Sequence, residues 1–105
     1  MGKVSLRSPT ETVPGSGVRW RSDKMDVELL LLRRGDELPS HTHEEEETVY
    51  VEEGRLQIAL GEGETFETYL VETGQASFHP PRVAHRITAV EDTRAVSFKN
   101  LVRPD

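Results

Sequence analysis

From Met25 onward the apolar residues recur with a period of two rather than 3.6, which is the period of an extended chain whose side chains alternate between two faces. Val27, Leu29 and Leu31 fall on one face, while Leu30 and Leu32 place apolar groups on the other, as in a strand covered on both sides. Gly35 and Asp36 interrupt this pattern. Residues 41–51 read as extended in spite of the acidic run at 44–47. Thr48, Val49, Tyr50 and Val51 are β-prone, and Gly54 arrives before two helical turns could form. Leu56, Ile58 and Leu60 alternate with Arg55, Gln57 and Ala59 as a half-buried strand. Residues 61–64 read as a turn, and extended structure resumes over 65–71. Residues 76–79 form a short run stopped by Pro80 and Pro81, and 85–90 and 95–98 complete the series. Short strands punctuated by Gly and Pro, with no amphipathic helix, predict an all-β sandwich or barrel.

Residues 1–24 read as a separate N-terminal arm, rich in turn signals such as Ser8-Pro9 and Pro14-Gly15 and poor in apolar anchors. Val18 and Trp20 alternate with Arg19 and Arg21, so the arm is expected to be partly extended and able to add an edge strand to a barrel domain spanning 25–105. With 105 residues the chain suits one domain. Only 34% of residues are hydrophobic, against about 45–50% apolar, Gly included, in average globular domains, so one modest core is expected. The formal charge of -6 argues against nucleic acid and anionic membrane as partners. The absence of cysteine excludes disulfides, thiolate metal sites and thiol nucleophiles. The longest aliphatic run, 29–32, is far too short to span a bilayer. No signal-like apolar stretch opens the chain, which makes the cytoplasm the expected compartment.

Candidate chemistry concentrates at His41, His43 and the glutamates that follow. In an extended chain His41, His43, Glu45 and Glu47 share a face with Val49 and Val51, while Thr42, Glu44, Glu46, Thr48, Tyr50 and Glu52 face the other way. An unpaired carboxylate among buried valines is costly and would sooner take up a proton. A divalent cation removes that cost by accepting lone pairs from the carboxylate and both imidazoles. A bare His-x-His is more often a surface feature, and most acidic runs are solvated faces. The stretch is not the helical zinc-protease motif either, because Glu47 stands where that motif needs its second histidine.

The wider spacing changes these odds. Gly35, His41, His43, Glu47 and Gly54, separated by five, one, three and six residues, resemble the first signature motif of the cupin superfamily at all five positions. A second motif is present in part as Gly74, Pro80 and His85, with Arg82 where the family has glycine and Ala89 where it has asparagine. The resemblance implies a small single-domain cupin, a double-stranded β-helix or jelly-roll barrel. It implies that His41, His43, Glu47 and His85 bind one divalent metal ion, whether Fe, Mn, Zn, Ni or Cu. Gly35 and Gly54 would sit at strand corners. Arg82 would impose another loop conformation or carry strain; aimed at the barrel mouth it would suit a carboxylate ligand, although a solvent-facing loop arginine is the more ordinary reading. Ala89 shares parity with His85 and Ile87, giving a small apolar interior there. His79, beside two prolines, reads as a surface residue or one behind the ligands.

Such a centre, with positions open to substrate, supports a metal-dependent enzyme acting on a small polar organic molecule, of dioxygenase, isomerase or decarboxylase type. Glu47 is the candidate general base. Gln57, Tyr50 and Arg82 are the candidate substrate-pocket residues, with Trp20 and Arg94 as further ones. The alternative is a non-catalytic metabolite- or sugar-binding or sensing domain. A metal that merely cross-links strands is disfavoured, because structural sites close every position and favour thiolates. The apolar excess on both faces of 27–32 predicts a homodimer.

Overall fold

The computed structural model describes residues 11–13, 17–61 and 66–101. The expected turn at 61–64 lies outside them apart from Gly61, as does most of the N-terminal arm. The strands are β1 Glu11–Val13, β2 Gly17–Arg21, β3 Met25–Leu32, β4 Glu37–His41, β5 Glu47–Glu53, β6 Arg55–Leu60, β7 Glu67–Glu72, β8 Ala76–His79, β9 His85–Ala89 and β10 Thr93–Asn100. They form two antiparallel sheets, ordered β1-β2-β3-β10-β5-β8 and β4-β9-β6-β7. No helix among the described residues is long and apolar enough to cross a membrane. The all-β, jelly-roll expectation is met.

Alternation along each strand decides what faces inward. Leu30 and Leu32 of β3, Val49 and Val51 of β5 and Ala95 of β10 meet Leu56 and Ile58 of β6, Val71 of β7 and Ile87 and Ala89 of β9 in one buried cluster. Fully burying each larger aliphatic side chain contributes about 1.5–3 kcal/mol. Toward one end of the sandwich the same inward positions turn polar. β9 passes from Ala89 and Ile87 to His85, β5 from Val51 and Val49 to Glu47, and β10 from Ala95 to Ser97, all buried. The registers bring these polar ends together: His85 pairs with His41 of β4, and Glu47 pairs with both His79 of β8 and Lys99 of β10. The sandwich thus has a dry hydrocarbon end and a polar end.

One expectation is corrected. Residues 41–51 are not one strand: His41 closes β4 in the four-stranded sheet, and Glu47 opens β5 in the six-stranded sheet. Residues 42–46 cross between the layers outside any strand. Glutamate is a poor strand former, and the chain leaves the sheet through three consecutive ones, Glu44, Glu45 and Glu46.

Candidate metal centre

The crossing segment does what a shared strand face would have done, by another route. His41 ends β4, His43 lies in the crossing and His85 opens β9. Their rings pack with centroids 4.3 Å (His41 to His85), 4.9 Å (His43 to His85) and 5.6 Å (His41 to His43) apart. Each offers a nitrogen within 4.8 Å of the others.

The ring orientations follow one rule. Nδ1 of His41 faces the Pro39 carbonyl at 2.7 Å, Nδ1 of His43 faces the Glu45 carbonyl at 2.8 Å, and Nδ1 of His85 faces the Val83 carbonyl at 3.2 Å. A carbonyl oxygen only accepts, so each Nδ1 carries the proton and each Nε2 keeps its lone pair. The Nε2 atoms of His43 and His85 are buried without a hydrogen-bond partner. Burying an unmet acceptor costs about 1–3 kcal/mol, and two side by side call for a ligand. Burial lowers the His43 pKa below that of ordinary imidazole, against the raising influence of Glu47, which favours the neutral, metal-ready ring.

Glu47, 5% exposed, approaches from the opposite sheet. Its Oε1 accepts from His79 Nδ1 at 2.9 Å, and its Oε2 accepts from the Ser97 hydroxyl at 2.6 Å, with Lys99 Nζ at 3.9 Å. His85 Nε2 stands 3.2 Å from the same Oε1 without hydrogen-bonding geometry. Two lone-pair donors facing at that distance repel, and a cation accepting from both relieves the repulsion. Burial pushes the Glu47 carboxyl up. The hydrogen bonds from His79 and Ser97 and the Lys99 charge oppose that, and the carboxyl lies well below the usual carboxylate range. A second cluster, Glu47, His79 and His85, shares two members with this set. In it His79 has both ring nitrogens committed, Nδ1 to Glu47 and Nε2 to Ser77.

A cavity of about 270 Å³ opens beside His41 and Glu47. Leu30, Leu38, Pro39 and Ile87 supply apolar wall, and Arg19, Glu28, Ser97 and Lys99 supply polar wall. Arg19 is already held by Asp26 at 3.2 Å and Glu28 at 2.8 Å.

The expected pocket residues lie elsewhere. Tyr50 and Gln57 occupy exposed positions on the outer faces of β5 and β6, out of phase with their buried neighbours. Arg82 has a side chain 73% exposed and pairs with Glu44 at 3.3 Å. None of the three lines the cavity. Of the further candidates, Arg94 pairs with Glu52 and Glu53 outside it. Glu45 sits beside His43, with its Oε2 3.7 Å from Nδ1. His79 is not a surface residue: it is 0% exposed and stands directly behind Glu47. Lys99 and Ser97 went unremarked in the sequence, although alternation from buried Ala95 marks both as inward-facing.

The Arg82 loop keeps the conformation a glycine would take, with φ at 63°, and its N–H donates to the His43 carbonyl at 2.9 Å. A left-handed non-glycine residue costs about 1–2 kcal/mol, while an exposed ion pair such as Arg82 with Glu44 returns little. Arg82→Gly is therefore expected to raise the unfolding free energy by about 0.5–1 kcal/mol, after allowing for the flexibility of glycine in the unfolded chain. Urea denaturation measures it, and a loss of stability would contradict the strain argument.

Two antiparallel sheets closing over a histidine-lined polar end define a jelly-roll architecture with a candidate metal centre. The cupin domain family model matches residues 28–99, and the chain belongs to that family. Comparison with curated protein sequences finds no match. Among solved structures it is similar to KdgF from Halomonas sp., with 22% identity over 92% of this chain and 90% of that one, at a TM-score of 0.72. It is also similar to an RmlC-like cupin from Shewanella frigidimarina, with 19% identity over 90% of this chain and 85% of that one, at a TM-score of 0.73. A third similar structure is a variant of oxalate decarboxylase from Bacillus subtilis, with 17% identity and a TM-score of 0.79. That match covers 95% of this chain but only 30% of that one. The Bacillus enzyme carries Mn(II) centres. At these identities the likenesses speak for the fold.

Proposed function

We propose that this cupin domain binds one divalent metal ion through His41, His43, His85 and Glu47 and acts as an enzyme on a small polar organic substrate held in the adjoining cavity. The observation that carries the reading is the pair of buried, partnerless Nε2 atoms on His43 and His85, each fixed in its tautomer by a backbone carbonyl. Three neutral imidazoles and one carboxylate against a divalent ion leave a net charge of +1. A bound ion would supply Lewis-acid polarisation of a substrate oxygen or, if redox-active, one-electron chemistry. The protein's own contribution is positional. Leu30, Leu38 and Ile87 exclude water from one wall, and Lys99 presents a donor to polar substrate atoms, the Ser97 proton being already given to Glu47. Glu47 serves here as ligand and fixed anion. A general base works best with a pKa near the working pH, and the donors on both of its oxygens hold it far below.

Dioxygenase, isomerase and decarboxylase chemistries remain within this proposal, the last being what the structurally similar Bacillus subtilis protein performs. Metal analysis of natively expressed protein, followed by assays on a panel of small chelating acids and ketones, tests it. Oxygen uptake assigns the dioxygenase branch, carbon dioxide release without oxygen uptake the decarboxylase branch, and product formation with neither the isomerase branch. Ligand binding without turnover would replace the enzyme reading by that of a metabolite- or sugar-binding domain, and protein free of metal would overturn the reading altogether.

We further propose a homodimer formed by the outer face of the six-stranded sheet. One cross-strand row there carries Trp20, Val27, Phe98, Thr48 and Phe78, and the next Val18, Leu29, Val96, Tyr50 and Ala76. Phe78, Phe98, Tyr50 and, one row further on, Leu31 are among the exposed large hydrophobic residues. Five strands at about 4.8 Å spacing make a face roughly 20 Å wide, and an apolar patch of that extent marks an interaction surface. A second copy presents the same patch, as a two-fold interface requires. Light scattering at micromolar concentration is expected to give a dimer mass and Phe98→Glu a monomer. A monomeric wild type would refute the assignment.

A further inference from the structure

His79 is the one histidine among the described residues whose two ring nitrogens both meet side chains. Its Nδ1 faces Glu47 Oε1 at 2.9 Å, and its Nε2 faces Ser77 Oγ at 2.8 Å. Ser77 Oγ lies in turn 2.7 Å from the Tyr69 hydroxyl. A carboxylate oxygen only accepts, so Nδ1 donates to Glu47; with the ring proton on Nδ1 alone, Nε2 accepts from Ser77, whose oxygen then accepts from Tyr69. In that arrangement all three hydrogen bonds point one way, from Tyr69 on β7 across the sandwich to Glu47, and chains so aligned polarise one another. The register places His79 directly opposite Glu47, with Ser97 holding the other carboxylate oxygen from β10. A glutamate free to turn loses rotamer freedom when captured; here that ordering precedes any ligand.

We propose that His79 is a positioning residue for Glu47, setting the orientation of its carboxylate toward the histidine cluster, and that Ser77, backed by Tyr69, holds the ring in place from its far nitrogen. The proposal rests on the metal-binding reading above. With no ring nitrogen to spare, His79 is not itself a ligand, and it acts only through the carboxylate it holds.

The test is Co(II) affinity and ligand-field absorption of the metal-stripped protein. His79→Gln, whose amide follows the reach of Nε2 rather than Nδ1, is expected to weaken Co(II) binding by about 10–100-fold and to alter the spectrum. His79→Asn, whose amide nitrogen can stand near the Nδ1 position, should recover most of both. In a Glu47→Gln background the step from His79 to Gln should have no further effect, since the two act as a unit. Should His79→Gln fail to fold, Ser77→Ala carries the same test. It keeps the imidazole but removes the partner that holds Nε2, with an expected loss of about 10-fold that must likewise vanish in the Glu47→Gln background. Wild type that binds Co(II) tightly, with His79→Gln and Ser77→Ala binding equally well or losing the same factor with and without Glu47, overturns the positioning role and leaves the metal reading intact. Wild type that does not bind Co(II) overturns both.

Discussion

His43→Ala is expected to abolish stable metal binding, while wild-type protein carries about one divalent ion per chain. His43 stands between the sheets, on the segment that crosses from β4 to β5, and its Nε2 is buried and partnerless. Its ring orientation is already fixed by the Glu45 carbonyl, and burial favours its neutral form, so little reorganisation opposes coordination. Removing the ring deletes a ligand and opens a path for water toward His85 and Glu47. The loss should exceed the 10–100-fold that outer partners of metal ligands typically command, enough for the ion to be stripped by a mild chelator. The fold should survive, because the hydrocarbon cluster lies at the other end of the sandwich. Elemental analysis of purified His43→Ala decides the matter, and full occupancy in that variant would sink the ligand assignment.

Gly54→Ala is expected to cost at least about 3 kcal/mol, whereas Gly35→Ala costs about 1–2 kcal/mol. Both glycines belong to the first motif and both have positive φ, 113° and 90°. They differ in what surrounds them. A Cβ at Gly35 meets nothing within 4 Å, so only backbone strain is charged there. A Cβ at Gly54 would overlap the Thr93 hydroxyl, the Thr93 Cα and the Asp92 carbonyl. Thr93 cannot step aside freely, since its hydroxyl accepts from the Arg55 N–H at 3.0 Å and lies 2.8 Å from the Glu91 carbonyl, tying β10 to the start of β6. Chemical denaturation of the two variants side by side measures the difference. Equal costs would show that conformation alone explains both positions.

Much of the fold was legible because alternation is a local signal. The odd and even positions of β3 and β6 could be assigned to faces from their neighbours alone. Parity could not reveal the crossing at 42–46, since a strand, a turn and a second strand can preserve the same count as one unbroken strand. His41, His43 and Glu47 thus converge with His85 for a reason of topology rather than pleat. For the pocket, chemistry and pattern point to different residues. Gln57 lies between inward-facing Leu56 and Ile58, so its own neighbours place it outside. Lys99 continues the inward run of Ala95 and Ser97 and lines the cavity. For His79 the sequence left open a surface position or one behind the ligands: the choice depends on Glu47, 32 positions away in sequence, and no local pattern carries that pairing.

The candidate ligands do not belong to one layer. His41 and His85 stand on the four-stranded sheet, Glu47 on the six-stranded sheet, and His43 on the chain that joins them. Away from the dry end, the layers face each other across polar side chains whose burial is unfavourable unless something links them. An ion held by both layers would bear load across the gap, so the grip of the protein on such an ion and the cohesion of its two halves at that end would be one linked equilibrium. A substrate that entered the cavity and drew on the ion would also pull on the seam of the molecule.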